Sequence, residues 1–251
     1  MQAQANSKRR LPGLTHGTGL IQHPFDRENG VRTSGLVVGR HLKSGHVHDR
    51  HSTAYYAVAP SVFHRLMRHW QRIKRSTGVA ETTFIDIGAG MGRAVLLASE
   101  MHFRRVIGVE LHPVLTRIAR ANLTKWRKAG RAKAPARIVE ADATQFAYPA
   151  GPVLAFLFNP FGAAVMRRLV KTLRSAWVDR PGLLDILYVN NEQERVFEQS
   201  RGFVRLFSGK VPRSRIDAAA DHRILSNQPD SEYASAPYED CSIWRWEGKN
   251  S

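Results

Sequence analysis

A glycine-rich segment that directly follows an apolar run is the feature that most limits how this chain can fold. Residues 84–93 read FIDIGAGMGR, with a carboxylate at Asp86 and alternate glycines at Gly88, Gly90 and Gly92. Glycines permit a tight strand-to-helix turn and let a ligand approach the main chain, while the free N–H groups of the following helix can bind an anionic group. The segment predicts a strand, a ligand-binding turn and a helix in direct succession.

The glycine spacing separates this turn from two common nucleotide-binding loops. A dinucleotide fingerprint beginning at Gly88 would require glycine at position 93, where the chain has Arg93. A Walker loop would require lysine followed by serine or threonine, which is also absent. The pattern disfavours an NAD-type oxidoreductase, which would share the glycine turn, but leaves it among the alternatives.

Strand and helix patterns alternate along most of the chain. Strand candidates lie at 83–87, 106–109, 137–140, 153–158, 183–189, 203–208 and 242–246, and helix candidates at 93–101, 113–129, 163–177 and 192–199. Such alternation indicates crossover connections and a mostly parallel sheet. The last two strands have no convincing helix between them and are expected to pair antiparallel, joined by a functional or mobile connection at 209–240. We predict an α/β fold, doubly wound, with a mostly parallel seven-strand sheet, an antiparallel C-terminal strand and a helical/loop N-terminal extension.

The pattern also divides the chain into three parts. Residues 1–20 predict a mobile basic arm, residues 21–79 an N-terminal extension of loops with a cap helix at 61–75, and residues 80–251 a Rossmann-like domain. The longest apolar run has six residues, far fewer than the roughly 20 that cross a bilayer. With a single cysteine, Cys241, and no signal-peptide pattern, a cytoplasmic protein without disulfides is expected.

The glycine segment resembles the first motif of the class I, seven-strand S-adenosylmethionine-dependent methyltransferases, an acidic residue followed by G-x-G-x-G. Asp86, Gly88, Gly90 and Gly92 fill that motif. The resemblance covers about residues 80 to 208 and implies S-adenosyl-L-methionine as cofactor. It further implies that the glycine loop contacts the amino-acid end of the cofactor and that Asp86 lies near its ammonium group.

Two later carboxylates extend the resemblance. Glu110 ends the second strand candidate, where a carboxylate can accept hydrogen bonds from both ribose hydroxyls, as it does in related nucleotide folds. Asp142 follows the third strand and matches the family's carboxylate that accepts the adenine amino group, with the Ala143 N–H available to the ring. The alternative for Asp142 is that it caps the turn that follows it.

The fourth strand candidate ends in Asn159, Pro160, Phe161 and Gly162, where the family places its reactive face. This sequence resembles in part the Asn-Pro-Pro-Tyr motif of methyltransferases that act on nitrogen. An Asn side-chain oxygen and a Pro carbonyl can each accept an N–H and so aim the nitrogen lone pair at the sulfonium methyl, while the aromatic ring stacks on the substrate. We therefore expect Asn159, Pro160 and Phe161 to be catalytic and the acceptor to be a protein or small-molecule amine.

Methyl transfer from a sulfonium requires in-line alignment and exclusion of water, so a lid is expected. Tyr55 and Tyr56, just before the cap helix, are the candidates, and residues 25–34 are possible partners. His46 and His51 flank a segment rich in histidine, but adjacent basic residues and a loop setting argue against a metal site, and no metal is assigned.

The charge of the chain keeps further functions open. The formal net charge is +17, and residues 1–80 alone hold 13 Lys and Arg against three Asp and Glu. Such an excess suits an anionic partner such as RNA, although a solvated basic surface would have the same composition. The alternatives to an amine methyltransferase are an RNA or DNA base methyltransferase, an NAD-type oxidoreductase and a non-catalytic nucleic-acid-binding protein.

Overall fold

The protein is built around one twisted sheet of seven strands in the order β3-β2-β1-β4-β5-β7-β6. A computed structural model describes residues 21–37, 54–227 and 235–248. The strands are β1 (Thr83–Ile87), β2 (Arg105–Glu110), β3 (Ala136–Glu140), β4 (Val153–Phe158), β5 (Leu184–Val189), β6 (Phe203–Pro212) and β7 (Tyr238–Trp246). Strands β1 to β5 pair in parallel, and β7 lies antiparallel between β5 and β6. The predicted fold class is confirmed.

Helices cover both faces of the sheet, which explains why its central strands are apolar along their whole length. The helices are α1 (Pro24–Asn29), α2 (Pro60–Arg72), α3 (Arg93–Ser99), α4 (Pro113–Lys128), α5 (Ala163–Ala176), α6 (Arg195–Glu198) and α7 (Arg215–Ser226). One face of the sheet packs Phe84 and Phe156 against Phe63 of α2. The opposite face packs Leu157 with Leu169 of α5 and Trp246 of β7. None of the helices in the described ranges is long and apolar enough to cross a membrane.

Helix α2 forms where the spacing of apolar residues predicted the cap helix, although it ends three residues earlier. Pro60 occupies the first turn, where the missing N–H costs nothing. The helix buries one face completely, and its Trp70 Nε1 donates to Asp185 Oδ2 at the start of β5 at 2.7 Å. This contact holds the N-terminal extension against the sheet.

The connection between β6 and β7 differs from the prediction, because β6 runs on to Pro212 and residues 215–226 form helix α7. Ser214 caps the helix by accepting a hydrogen bond from the Asp217 N–H at 3.1 Å. The buried face of α7 carries Asp217 and Asp221 beside its apolar residues, so the hydrophobic periodicity that would have revealed a helix is interrupted.

The N-terminal extension also contains a helix that was not predicted. Pro24–Asn29 forms α1, whose first turn is capped by His23 Nδ1 accepting from the Phe25 N–H at 3.1 Å. Gly30 ends the helix in the left-handed conformation, with φ of 62°. A helix of six residues is too short to produce a recognisable apolar period, which explains its absence from the sequence-based prediction.

Candidate active site

A cleft opens at the carboxyl ends of the parallel strands, where the chain order reverses between β1 and β4. Such switch points are where open α/β sheets bind ligands. The cleft holds about 1000 Å³ of empty space, part of it open to solvent. Ten of the residues that the sequence singled out line it, namely Tyr55, Tyr56, Asp86, Gly88, Gly90, Glu110, Asp142, Ala143, Pro160 and Phe161. Gly92 and Asn159 are not among the lining residues.

The glycine loop allows close contacts that a side chain would prevent. A Cβ on Gly88 would lie 2.8 Å from the Pro160 Cβ, so the loop after β1 touches the segment after β4. A Cβ on Gly90 would overlap the ring of Tyr55, and the Gly90 φ of 54° is also left-handed. Gly92 instead packs α3 against Ala119 of α4. The first two glycines shape the cleft, whereas Gly92 brings two helices together.

Glu110 ends β2 and ties the glycine loop to the next turn. Its two carboxylate oxygens accept from the Gly90 N–H at 2.7 Å and from the His112 N–H at 2.8 Å. Burial raises the pKa of Glu110, and these backbone N–H groups oppose the rise by stabilising the ionised form. Each oxygen has a second lone-pair site, so the carboxylate can hold the loop and still accept from a ligand.

Asp86 lies almost completely buried at the end of β1, with 4% of its surface exposed. Burial, and secondarily the nearby Glu110 carboxylate, raises the pKa of Asp86 to about 8. Two carboxylates that share a buried cleft disfavour each other's ionised form. A cation bound in this cleft would therefore find an acidic group that is ready to ionise beside it.

Asp142 and Ala143 form the wall of the cleft after β3. Asp142 Oδ1 accepts from the Thr144 N–H at 2.8 Å, and Oδ2 accepts from Gln145 Nε2 at 3.0 Å. Asp142 thus caps its own turn, as one reading of the sequence expected, while it also lines the cleft. Ala143 is buried, and its carbonyl accepts from the Tyr148 hydroxyl at 2.9 Å.

The segment after β4 has an unusual backbone conformation. Asn159 has a φ of 36°, in the left-handed region that asparagine tolerates better than most residues. Its backbone N–H donates to the Val189 carbonyl at 3.1 Å, so the pairing of β4 with β5 continues one residue past the strand end. Pro160 and Phe161 then follow along the wall of the cleft.

Tyr55 and Tyr56 reach the cleft from the N-terminal extension, and each is fixed by its hydroxyl. The Tyr55 hydroxyl donates to the Thr33 carbonyl at 2.6 Å, and its backbone pairs with Val37. The Tyr56 hydroxyl donates to Asp221 Oδ1 of α7 at 2.6 Å. Burial raises the pKa of both phenols, so they are neutral donors. The two tyrosines line the cleft and are joined to two different parts of the chain.

Arg93 is a site residue that the sequence analysis did not assign. It begins α3, is 3% exposed and lines the cleft. Its Nε donates to Thr33 Oγ1 at 2.7 Å, and its guanidinium lies 3.7 Å from Asp26 Oδ1. Asp26 in turn accepts from the backbone N–H groups of Thr33 and Ser34 at 2.6 and 2.7 Å. A cation at a helix N-terminus opposes the helix dipole, and that anomaly was the available signal of a specific anionic partner.

Helix α7 adds a second group of buried polar residues behind the two tyrosines. Asp217 Oδ2 accepts from the Ser61 N–H at 2.8 Å and its Oδ1 lies 3.5 Å from His23 Nε2. Burial, together with the charge of Arg93, lowers the pKa of His23 to about 4, so this histidine is neutral near pH 7. The extension therefore contacts α7 by polar groups on both sides of Pro60. The described residues contain no cluster of three or more His, Cys, Asp or Glu that could hold a metal, and the segment from His46 to His51 lies outside them.

The comparisons with known proteins bear on the fold of the chain. The chain has the Rossmann-like methyltransferase fold, a seven-strand mixed sheet in the order 3-2-1-4-5-7-6. No protein-family model matches the sequence, and no curated protein is significantly similar to it.

Solved structures share the fold at low sequence identity. The cyclase SpnF aligns with a TM-score of 0.52 at 14% identity, over 74% of this chain and 82% of that chain. The N-methyltransferase NodS from Bradyrhizobium japonicum WM9 has a TM-score of 0.47 at 10% identity, over 73% and 93%. Magnesium protoporphyrin IX methyltransferase from Synechocystis PCC 6803, with bound SAM, has a TM-score of 0.46 at 12% identity, over 74% and 76%. The first likeness bears on the fold alone, and the other two are too distant to add to it.

Proposed function

We propose that this protein is an S-adenosylmethionine-dependent methyltransferase. The observation that carries the proposal is the arrangement of Asp86, Gly90 and Glu110 in one cleft at the switch point of the sheet, with the Glu110 carboxylate bonded to the Gly90 N–H at 2.7 Å. A loop held in this way presents main-chain N–H groups and carboxylates to the same ligand. S-adenosylmethionine has an amino-acid end, with an ammonium and a carboxylate group, and a ribose diol, so both the main-chain N–H groups and the carboxylates of the cleft would have a ligand group to bind.

Each end of the cofactor has a candidate partner in the cleft. Asp86 would pair with the ammonium group. A nearby cation favours the ionised carboxylate and so lowers the raised pKa of Asp86. Glu110 would accept hydrogen bonds from the ribose hydroxyls through the lone pairs that the backbone N–H groups leave available. Asp142 and Ala143, at the far wall, would hold the adenine. When bound, the cofactor supplies an electrophilic methyl group.

The acceptor end is proposed to be formed by Asn159, Pro160 and Phe161, and the acceptor atom to be a nitrogen of a protein or small-molecule amine. Pro160 and Phe161 line the cleft, and Pro160 is in close contact with the glycine loop. A carbonyl and an amide oxygen after β4 would orient the N–H groups of the acceptor, whose nitrogen would release a proton to solvent once it carries the methyl. A nucleic-acid base is the second candidate acceptor, favoured by the net charge of +17.

The N-terminal extension is proposed to be the lid of a catalytic domain that comprises residues 80–251. Tyr55 lies over Gly90, and Arg93 links the glycine loop to Asp26 and Thr33 of the extension. These contacts would exclude water from the sulfonium. Arg93 also argues against an oxidoreductase, because a dinucleotide fingerprint has glycine at that position, where it allows the helix to pack closely on the strand.

Calorimetric titration with S-adenosylmethionine, and separately with NADH, tests the cofactor. We expect micromolar binding of S-adenosylmethionine that weakens by about tenfold or more in Glu110→Ala, since a hydrogen bond to a charged group is worth about 1.5–3 kcal/mol. Glu140→Ala is the matched control, because Glu140 pairs in register with Glu110 at the end of the next strand but is exposed. A preference for NADH, or equal losses in the two variants, would contradict the proposal.

Release of S-adenosylhomocysteine in the presence of lysine-containing peptides, small amines or RNA tests the acceptor. We expect turnover with an amine acceptor and a lower kcat in Asn159→Ala, with cofactor affinity unchanged. Turnover with RNA alone would replace the amine by a nucleic-acid base. Tyr55→Ala and Tyr56→Ala variants that bind and turn over as the wild type does would remove the lid from the proposal.

A further inference from the structure

A second groove lies on the outer face of α2, where the helix faces the end of β6. It holds about 620 Å³, part of it open to solvent. We call it the α2 groove, and its walls are formed by Arg65, Arg68, His69, Arg72, Val211 and Pro212. The lining is therefore dominated by cationic side chains that all come from one helix.

These arginines have no partner among the described residues. Arg65, Arg68 and Arg72 make no hydrogen bond or ion pair there, and α2 itself contains no acidic residue. Like charges three and four residues apart on a helix destabilise it. A row of unpaired guanidinium groups beside a groove thus points to an external anion that neutralises them.

Helix α4 is also basic but behaves differently. In and after α4, Arg120 lies 4.0 Å from Glu140, Arg131 lies 2.8 Å from Glu100, and Lys125 Nζ donates to the Gly30 carbonyl at 2.9 Å. Several of its cations are thus engaged within the molecule. The net positive charge alone does not distinguish the two helices; what distinguishes α2 is that its three arginines, unpaired among the described residues, line one groove.

The geometry of the α2 groove matches an anion that repeats along a chain. Spacings of three and four residues put the three arginines on one helix face, about 4.5 and 6 Å apart along the axis at about 1.5 Å per residue. A guanidinium group binds two oxygens of one phosphate in a planar fork. A phosphodiester backbone supplies such groups in series.

A flat surface lies beside this row of charges. The exposed ring of His69 stacks on Phe207 of β6, with centroids 4.5 Å apart and an interplanar angle of 26°. Unpaired bases stack on such rings without regard to sequence. We propose that the α2 groove binds single-stranded nucleic acid, with its phosphates on Arg65, Arg68 and Arg72 and a base on the His69 ring.

The groove is connected to the cleft through three side chains. Pro212 lines the groove, and Arg213 beside it lies 3.2 Å from Asp221 Oδ2. The other oxygen of Asp221 accepts from the Tyr56 hydroxyl, and Tyr56 lines the cleft. A nucleic acid in the groove would therefore lie beside the lid. The inference concerns binding and does not depend on methyl transfer.

Fluorescence anisotropy of a short labelled single-stranded RNA, titrated with the protein over a series of salt concentrations, tests this. We expect Arg65→Gln, Arg68→Gln and Arg72→Gln together to weaken binding by about 10- to 100-fold and to make the salt slope shallower by about 2, from three phosphates at about 0.7 each. Arg117→Gln, Lys128→Gln and Lys133→Gln together are the control, because they remove the same charge from exposed positions on and after α4. We expect that control to change affinity by less than about threefold.

Two further variants separate the groove from a general loss of charge or of folding. Replacing the three arginines by lysine should keep most of the salt slope, and His69→Ala should weaken single-stranded RNA binding without changing that slope. Equal losses in the two glutamine triples would overturn the proposal, as would equal affinity for a matched duplex or for polyglutamate. Equal thermal midpoints for all variants establish that the fold is retained.

Discussion

The raised pKa of Asp86 predicts that binding of the cofactor releases a proton. With a pKa of about 8 in the free protein, Asp86 is about nine-tenths protonated at pH 7. An adjacent ammonium group lowers a carboxyl pKa by about 1–3 units, which leaves about half or less of the proton in the complex. Between about 0.4 and 0.9 proton should therefore be released for each cofactor bound. We assign this proton to Asp86 because Glu110 already receives two backbone N–H groups.

Calorimetry at pH 7 in buffers of different ionisation enthalpy measures the proton directly. Asp86→Asn should bind more weakly and should release none of this proton, so the difference between the two proteins removes any contribution from the ligand. The association constant of the wild type should rise with pH, because the slope equals the number of protons released. The rise should stop near pH 8, where an α-amino group loses its own charge.

The same group makes the free protein less stable as the pH rises. A folded-state pKa above the unfolded value of about 3.9 means that the folded protein binds more protons between these two values, so the free energy of unfolding falls from about pH 4 to about pH 8. Saturating cofactor should flatten this dependence. Binding of S-adenosylmethionine without proton release, or with release that persists in Asp86→Asn, would refute the assigned role.

Three further predictions concern the contacts around the cleft. Gly90→Ala should lower the free energy of unfolding, and in a Tyr55→Ala background the loss should be smaller by about 1–3 kcal/mol because the overlap with the ring is gone; urea denaturation of the four proteins measures this coupling, and additive losses would contradict it. Arg93→Met should cost about 3–5 kcal/mol in the same assay by leaving Asp26 buried without its cation, whereas a loss below about 1 kcal/mol would show that the pair is dispensable. Asp142→Ala should lower the free energy of unfolding by about 1 kcal/mol and weaken cofactor binding, while Asp142→Asn, which keeps an acceptor oxygen for the turn but replaces the other oxygen by an NH2 donor, should keep the stability and still weaken binding; equal losses of stability in urea denaturation would argue against a capping role for that oxygen.

Most of the sheet was predictable because its signal is local. Each central strand is buried on both faces, so β1 and β4 are written as short apolar runs that need no knowledge of the rest of the chain. Helix α7 was not predictable in the same way, because Asp217 and Asp221 occupy its buried face. Their burial is compensated by contacts with Ser61, Tyr56 and Arg213. Ser61 and Tyr56 are far from the helix in the sequence, and no local pattern connects Arg213 with Asp221.

The same distinction between local and distant contacts applies to the candidate site. Asp86, Gly88 and Gly90 fall within five consecutive positions, and Glu110 ends the next strand, so motif spacing alone brought these residues together. Arg93 belongs to the same segment, yet its role depends on Asp26, which lies 67 positions earlier. Pairing between two charged side chains so far apart has no periodicity that could reveal it.

What the sequence by itself determined was the α/β alternation and the position of a glycine loop with a carboxylate on either side of it. Backbone conformation and the apolar character of buried strands depend on residues that are close together in the sequence, so both can be recognised from short segments. Only the tertiary structure decided that Tyr55 covers Gly90, that Arg93 is neutralised by the N-terminal extension, and that the arginines of α2 line a second groove. These properties depend on which side chains from distant parts of the sequence come into contact, and the packing of the helices on the sheet determines those contacts.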